Sequence, residues 1–449
     1  MITQVNDQKI SLVGAVIMIV GTVVGAGIYI IIGPLAVNVG PGLLISYLIA
    51  LLIATTSSFC YAQVSAVYPT TAATYRYAKM FYPEMIGFLM GWLRFLTSFY
   101  GLALMASGFT EYYQNPLGLS NRLIAATILT IFFIVNLLGI RTTQIVQSIL
   151  VTIVISGLVL FSGGGFSEIE ANNLFPMTEA GIGAIFGGAL TAFFAYTGMY
   201  FVAEIGDEIE ESDKNIPRAI IIASIIIGLL YLSTTLVFSG ALGWDTIINK
   251  EPNLAQAAHK ILPTDFFYFI QISGVVAVIM PINSIYAASS RLLASLSQDG
   301  YMPKILANKN KYNVPGISLF LIYVLGVIIV LLDLSILYLG AINSLVTLIG
   351  MALVAGAGLK ILKVEPQKLK EAPFTLKPVL LIFLSIFTII AVLCLAVFTF
   401  IEDSMVLNSI ILWISIGTIY FYGSKLYYHK RSKTKSIYYK GENTYARRE

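Results

Sequence analysis

The sequence predicts an all-α polytopic membrane protein with twelve transmembrane helices, and three observations carry that reading. Only 11% of its 449 residues are charged and 57% are hydrophobic, with a mean hydropathy of +0.85; soluble domains carry roughly 25% charged residues. Apolar runs of about 20 residues, enough to cross the hydrocarbon core of a bilayer, recur from end to end. Lys and Arg collect in alternate links between those runs, as they do on the cytoplasmic side of membrane proteins. A β-barrel, with alternating segments of about ten residues, does not fit. The net charge of +4 gives no reason to expect nucleic acid as a partner; the lipid bilayer is the partner the composition demands. Cys60 and Cys394 lie in apolar runs, and His259 and His429 lie outside them. Neither a disulfide framework nor a metal or other cofactor is therefore expected. Met1 to Ile10 is polar and the first apolar run outlasts a signal-peptide core, so no cleaved leader is expected.

Hydropathy windows place span 1 at Ser11 to Leu35, span 2 at Leu43 to Val67, span 3 at Glu84 to Tyr113 and span 4 at Leu123 to Leu138. Span 5 runs from Gln144 to Phe161, span 6 from Gly181 to Glu204, span 7 from Ala219 to Leu242 and span 8 from Phe266 to Ser297. Spans 9 to 12 are Gly316 to Leu332, Ser335 to Leu362, Pro378 to Ile401 and Val406 to Tyr428. The links between them, Tyr68 to Tyr82 and Gly243 to Asp265 included, read as polar connections. On this map Arg76, Lys79, Arg141, Lys214, Arg218, Lys304, Lys309 and Lys311 share one side with Lys363 to Lys377 and the tail from Lys430 to Arg448. The other side receives Arg122, Lys250 and Lys260. Positive charge stays inside, so both termini are expected in the cytoplasm and the chain in the plasma membrane.

Two spans carry interruptions. Span 1 contains Gly21-Thr-Val-Val-Gly-Ala-Gly-Ile-Tyr29, three glycines within seven residues, with Gly33-Pro34 following. Glycine makes a helix easy to break and lets backbone amides approach a ligand, although glycines also permit close helix packing. Span 6 contains Phe193-Phe-Ala-Tyr-Thr-Gly-Met-Tyr200. Non-helical backbone at membrane depth persists only where it lines a cavity or is buried in protein, and paired broken helices in two halves of a chain point to a transport site.

These residues resemble the amino acid–polyamine–organocation superfamily of permeases. Gly21 to Tyr29 is similar to that family's span 1 signature, and Phe194-Ala-Tyr-Thr-Gly198 to its span 6 break. Asp207-Glu208 and Lys214-Asn-Ile-Pro-Arg-Ala-Ile220 match its acidic pair and the motif after it, and Ser289-Ser-Arg-Leu292 with Gln298-Asp-Gly-Tyr-Met-Pro303 match the end of span 8. The resemblance implies a five-plus-five inverted repeat (a LeuT-like fold): residues 1–162 as the first repeat, 163–363 as the second, and 364–449 as two peripheral helices with a basic tail. It also implies a secondary amino acid transporter working by alternating access.

The broken helices give that site its chemistry. The freed amides of Gly25, Ala26 and Gly27 point a positive helix end at a substrate carboxylate, and the carbonyls of Val23, Phe194 and Thr197 accept from an α-ammonium. The resemblance implies the same assignment and makes Phe194 a lid, with Tyr196 beside it in the break. Ala26 stands where the family has Ser, which removes a hydroxyl and leaves the amide. Phe95 and Phe99 are expected on the pocket-lining face of span 3, favouring a neutral substrate; a polyamine or cationic amino acid carrier, or a non-transporting sensor, is the alternative.

Coupling is expected to use Na+ or H+. Many relatives carry a lysine in span 5 where this chain has Val154; the carbonyls of Gly21 and Val24 facing Asn283 or Ser284 are a candidate sodium site instead, and polar groups satisfying a backbone turn explain Asn283 and Ser284 equally well. Arg94, near mid-bilayer in span 3, is costly there and marks function by default. It either binds an acidic substrate group, supplies the positive charge span 5 lacks, pairs with a carboxylate, or snorkels to the surface. The cluster Glu204, Asp207, Glu208, Glu210 and Glu211 is expected to form inner-gate ion pairs with Lys214, Arg218 or Arg291, with Glu208 in the gate. Glu211-Ser212 replaces the family's Asn-Pro, and Glu111 is read as interfacial. The sequence leaves the oligomeric state open.

Overall fold

The structure, a computed structural model, describes residues 9–113, 118–250, 252–402 and 405–424. Its regular elements are helices, and extended pairing among the described residues is confined to the bridges Ile10–Ile209 and Thr71–Ile205. Span 1 is delivered in pieces: α1 (Leu12–Val23), α2 (Ala26–Tyr29) and α3 (Ile32–Val39). Then come α4 (Leu43–Val67), the short α5 (Ala73–Phe81), α6 (Glu84–Tyr113), α7 (Asn121–Leu137) and α8 (Ile140–Gly164). Span 6 keeps an α-helix only at its start, α9 (Ile182–Phe193), and continues as short 3-10 turns to Glu208. After it follow α10 (Ser212–Leu242), α11 (Trp244–Lys250), α12 (Leu254–Ile261) and α13 (Thr264–Gln298). The chain goes on through α14 (Gly316–Leu332), α15 (Ile336–Val364), α16 (Pro366–Glu371), α17 (Pro378–Glu402) and α18 (Met405–Ser424). Seven helical stretches are long and apolar enough to cross a bilayer, and shorter apolar helices accompany them, which makes this a polytopic membrane protein.

Two packed groups meet face to face. In the first, α1, α4, α10 and the broken part of span 6 bury Tyr29, Tyr47, Tyr196 and Tyr231 among aliphatic side chains. In the second, α6, α7, α13, α14 and α15 pack around Phe88, Phe132 and Tyr286. The peripheral α18 is fastened to α6 by a reciprocal pair of bonds. The indole N–H of Trp92 donates to the Trp413 carbonyl (3.0 Å), and that of Trp413 to the Trp92 carbonyl (2.9 Å), with the rings stacked at 4.9 Å.

Two of the polar links carry helices of their own. The connection after span 2 contains α5, and the loop after span 7 contains α11 and α12, the latter opened by a capping box of Asn253 and Gln256. The helix of span 7 starts at Ser212, well before Ala219, because hydropathy marks the edge of the membrane and not the end of the helix. The basic tail from Lys430, His429 and the side chains of Glu111 and Lys250 lie outside the described residues.

Glu211, at the position where the family has Asn, takes the left-handed conformation (φ 40°, ψ 55°) ahead of α10. Asn and Gly visit that region readily and Glu does not. Glu211→Asn should therefore raise the thermal midpoint of the detergent-solubilised protein by roughly 1–2 °C. An unchanged or lower midpoint would show that the backbone there is relaxed.

Asp299, which caps α13, ties that helix to α5. Arg76 (2.9 Å) and Lys79 (3.0 Å) pair with it, and the Tyr75 hydroxyl donates to it. Burial opposes the charge, but the Tyr75 hydroxyl and the two cations outweigh it and hold the carboxyl below its ordinary value. A lowered folded pKa contributes stability above the unfolded value, about 3.9, and that contribution is lost as pH falls through the folded one. Asp299→Asn should thus lower the melting temperature at pH 7, with the gap to wild type closing below about pH 4.

Candidate functional site

The two interruptions touch. Helix α1 ends where Val24 turns to φ −77°, ψ 97°, and Gly25 follows before α2 resumes. Gly25 lies against the Ala277 carbonyl and the Pro281 ring of α13. Pro281 has no N–H, so α13 makes no bond to the Ala277 carbonyl, and that oxygen faces the break. Gly27 lies on Ala195 of span 6 so closely that a Cβ there would sit 2.4 Å from the Ala195 Cα. In span 6 the chain passes through Phe194–Tyr196, opens at Thr197 (ψ 137°), and turns at Gly198 with φ 100°, a conformation that favours glycine.

Tyrosines from neighbouring helices satisfy the opened backbone. The Tyr231 hydroxyl donates to the carbonyls of Val23 (2.9 Å) and Ala195 (3.2 Å), so one side chain of α10 serves both breaks. Tyr47 of α4 donates to the Gly27 carbonyl (3.0 Å). The Phe194 carbonyl accepts from the amide (3.2 Å) and the hydroxyl (2.8 Å) of Thr197. Tyr196 packs against the rings of Tyr47 and Tyr231, and its own buried hydroxyl has no hydrogen-bond partner. Sequence reading missed Tyr47 and Tyr231. The available signal was a tyrosine placed mid-span, since its hydroxyl needs a partner in hydrocarbon.

Beside the breaks lies a cavity of about 160 Å³ between the two packed groups, far more than the roughly 10–15 Å³ one water requires. Thr22 lines it from the end of α1, Phe194, Thr197 and Gly198 from the span 6 break, Pro281, Ser284 and Ser289 from α13, and Asn343, Ser344 and Thr347 from α15. Helix α6 presents Arg94, Thr97, Ser98, Gly101, Leu104 and Met105, one face at helical spacing.

This corrects one expectation. Phe95 and Phe99 are buried on another face of α6, against each other (5.3 Å) and the Trp413 ring (6.3 Å) of α18, away from the cavity. The wall they were expected to form is instead hydroxyl-bearing and carries a cation. Phe194, Thr197, Arg94 and Ser284 do meet there. Val23, Gly25, Gly27 and Tyr196 stand behind the cavity in the packed breaks, and the side chain of Ala26 lies outside the described residues.

Arg94 pairs with Glu204 (3.4 Å), and both face the cavity. The Thr74 hydroxyl also donates to Glu204, and Tyr61 donates to Thr74 (2.8 Å). Among the readings open for Arg94, pairing with a carboxylate is the geometry found. Of the three cations expected opposite the acidic cluster, Arg291 of α13 is the one that holds Glu208, at 2.9 Å. Next to it the chain entering α1 is stitched to the loop after span 6, the Ile10 amide donating to the Glu208 carbonyl (2.7 Å) and the Glu210 amide to that of Ile10 (3.0 Å). Lys214 pairs with Glu211 (2.7 Å) at the surface.

The expected sodium arrangement finds Asn283 turned elsewhere. Its carboxamide oxygen accepts from Asn136 (2.9 Å), and its amide donates to the Thr143 carbonyl (2.9 Å) and to Gln147 (2.8 Å). Asn283 thus serves α7 and α8, while Ser284 faces α1 through Thr22 (2.8 Å). Gln147 occupies the space beside Gly21. Val24 forms the end of α1, and Val154 is buried, its carbonyl accepting from Tyr29 (3.2 Å).

Broken helices meeting at a cavity between two packed groups define this protein as a membrane transport protein. The chain matches the amino acid permease family over residues 10–421 and belongs to it, within the amino acid–polyamine–organocation superfamily. It is similar to the methylthioribose transporter of Bacillus subtilis, with 26% identity covering 64% of this chain and 67% of that protein. It is 25% identical to the branched-chain amino acid permease BcaP of Lactococcus lactis, covering 69% and 72% of the two chains. Against the large neutral amino acids transporter small subunit 2 of Mus musculus, identity is 28% over 67% of this chain and 60% of the relative.

Because the Gly27–Ala195 contact leaves no room for a methyl group, Gly27→Ala should reduce amino acid uptake into proteoliposomes by at least about tenfold, the usual scale for a misplaced binding element. Gly187, with open space at its Cβ position, supplies the control, and Gly187→Ala should stay within about twofold of wild type. Normal uptake by Gly27→Ala would mean that the breaks need not touch.

Proposed function

We propose that this protein is a secondary transporter that moves a neutral amino acid across the plasma membrane by alternating access, the two packed groups rocking around the cavity. The observation that carries the reading is the cavity's position: the span 6 break and Thr22, at the end of α1 next to the other break, bound it, and it lies on the seam between the groups. Gly25, Ala26 and Gly27 would offer amides to the substrate carboxylate once the breaks loosen, with Thr197 and Phe194 receiving the ammonium end. Neutral specificity is supported by Arg94 and Glu204 cancelling each other on the cavity wall. Branched-chain and large neutral amino acid transporters are among the relatives, beside cationic amino acid transporters of Arabidopsis thaliana. A polyamine or cationic carrier would want a carboxylate not already committed to arginine.

The inverted repeat, residues 1–162 against 163–363, with 364–449 peripheral, belongs to the same proposal. Helices at corresponding places in the two halves pack on each other, α4 on α10, α6 on α13 and α7 on α14. Both termini are proposed to be cytoplasmic, the side on which Lys and Arg collect.

A second reading follows from the hydroxyl-rich wall of Thr97, Ser98, Ser289, Ser344 and Thr347. That wall suits a small hydroxylated solute, and one relative is a methylthioribose transporter. Uptake of a radiolabelled panel into proteoliposomes separates the two. Accumulation of one or a few neutral amino acids, abolished by Gly27→Leu, is the expected outcome. Transport of methylthioribose with no amino acid competing would favour the second reading, and transport of arginine or spermidine would overturn neutrality.

A further inference from the structure

We propose that Glu204 is the proton-binding site of this transporter, and that H+ is its driving ion; the inference rests on the transport reading above. Among the described residues Glu204 is the one buried carboxylate. Its partner Arg94 begins the fourth turn of α6, about 15 Å along the helix from Glu84, so the pair sits deep and away from either surface. Intramembrane ionisable groups of this kind mark ion and proton pathways.

The pair crosses the seam between the two groups. Arg94 stands on α6, while Glu204 follows the break of span 6, and both face the cavity. Both side chains line the cavity, so a substrate seated there parts the pair. The arginine side chain is 20% exposed and the glutamate 5%, so cavity water reaches the carboxylate yet hydrates it too little to replace its counter-ion. A separated, ionised Glu204 would be a buried charge without a counter-ion, which is strongly unfavourable. A proton taken from cavity water onto a Glu204 oxygen makes it a neutral acid that can leave Arg94. When the substrate leaves on the other side the pair forms again and the proton passes to water there, and the empty carrier returns with the pair intact.

The surroundings favour this role for Glu204 alone. The groups facing it are Arg94 from α6, Tyr61 from α4, Tyr77 from α5 and Tyr200 on its own segment. Helix α1 carries no ionisable side chain. On α10, Tyr231 serves the breaks, and Lys214 and Arg218 face Glu211. Arg291 of α13 is held by Glu208. A sodium site at Asn283 is disfavoured because its oxygen accepts from Asn136 and its amide donates to Thr143 and Gln147, which turns the side chain toward α7 and α8 and away from α1.

Carrying one proton with each neutral zwitterion makes uptake electrogenic. The test uses the full chain in liposomes containing a pH-sensitive dye, with a substrate first identified by counterflow exchange. With the membrane potential clamped, an inward gradient of one pH unit should drive about tenfold accumulation at one proton per substrate. Substrate addition should acidify the lumen, and a sodium gradient should have no effect. Glu204→Gln, checked for folding by size-exclusion chromatography, should bring gradient-driven accumulation down to the no-gradient level, and Glu204→Asp should restore it with a shifted pH profile. Wild-type exchange with neither acidification nor a pH-driven gain would overturn the inference, as would full pH-driven accumulation by Glu204→Gln. Should Glu204→Gln fail to fold, the wild-type acidification and the Glu204→Asp profile decide. Absence of counterflow with any solute would instead sink the transport reading itself.

Discussion

Peptide groups in hydrocarbon must find hydrogen-bond partners inside the protein, and the organisation around the two breaks follows from that requirement. A continuous helix meets it without help, whereas an opened one exposes carbonyls and amides that must be matched from outside. Here the Tyr231 hydroxyl reaches the Val23 and Ala195 carbonyls, Tyr47 reaches that of Gly27, and Thr197 folds back on Phe194. Tyr231 binds span 1 to span 6, so the two breaks form one unit. Helix α13 contributes differently: Pro281 withholds a donor, and the freed Ala277 carbonyl faces Gly25. Each opened stretch is therefore buried in protein, leaving the cavity to lie alongside the breaks.

The ion pairs form a gradient of depth. Asp299 with Arg76 and Lys79 fastens α5 to the end of α13. Glu208 with Arg291 ties the loop after span 6 to α13, next to the backbone pairing of Ile10 with that loop. Glu204 with Arg94 lies deepest and is the pair that faces the cavity. Surface pairs such as Glu211–Lys214 contribute little to stability. A deep pair is different, because removing one partner strands the other. The acidic cluster after span 6 is thus several devices, sorted by where each side chain lands.

The breaks were legible in the sequence because glycine density and the Phe194-to-Gly198 run have a direct backbone meaning. The Glu208–Arg291 pair was legible as a choice among three cations. The Arg94–Glu204 pair was not, since the two residues are far apart in sequence and a helix alone does not say which carboxylate its arginine meets. Phe95 and Phe99 were misplaced for a related reason. They lie one residue beyond Arg94 and Ser98, and one position around a helix is a turn of about 100°, enough to exchange a cavity wall for a packing surface against Trp413. Asn283 and Ser284, neighbours in sequence, part in the same way, one toward α7 and α8 and the other toward α1.

What the sequence by itself determined is the polytopic helical class, the places where two helices open, and membership of the permease family. Those depend on local properties: apolar length, glycine, and short motifs read along the chain. The tertiary structure alone decided which face of each helix meets the cavity, which tyrosines complete the breaks, and which charge neutralises Arg94. Nearly every position of a membrane helix is apolar, so periodicity leaves its rotation undetermined. Packing against neighbours sets that rotation, and with it the chemistry of the site.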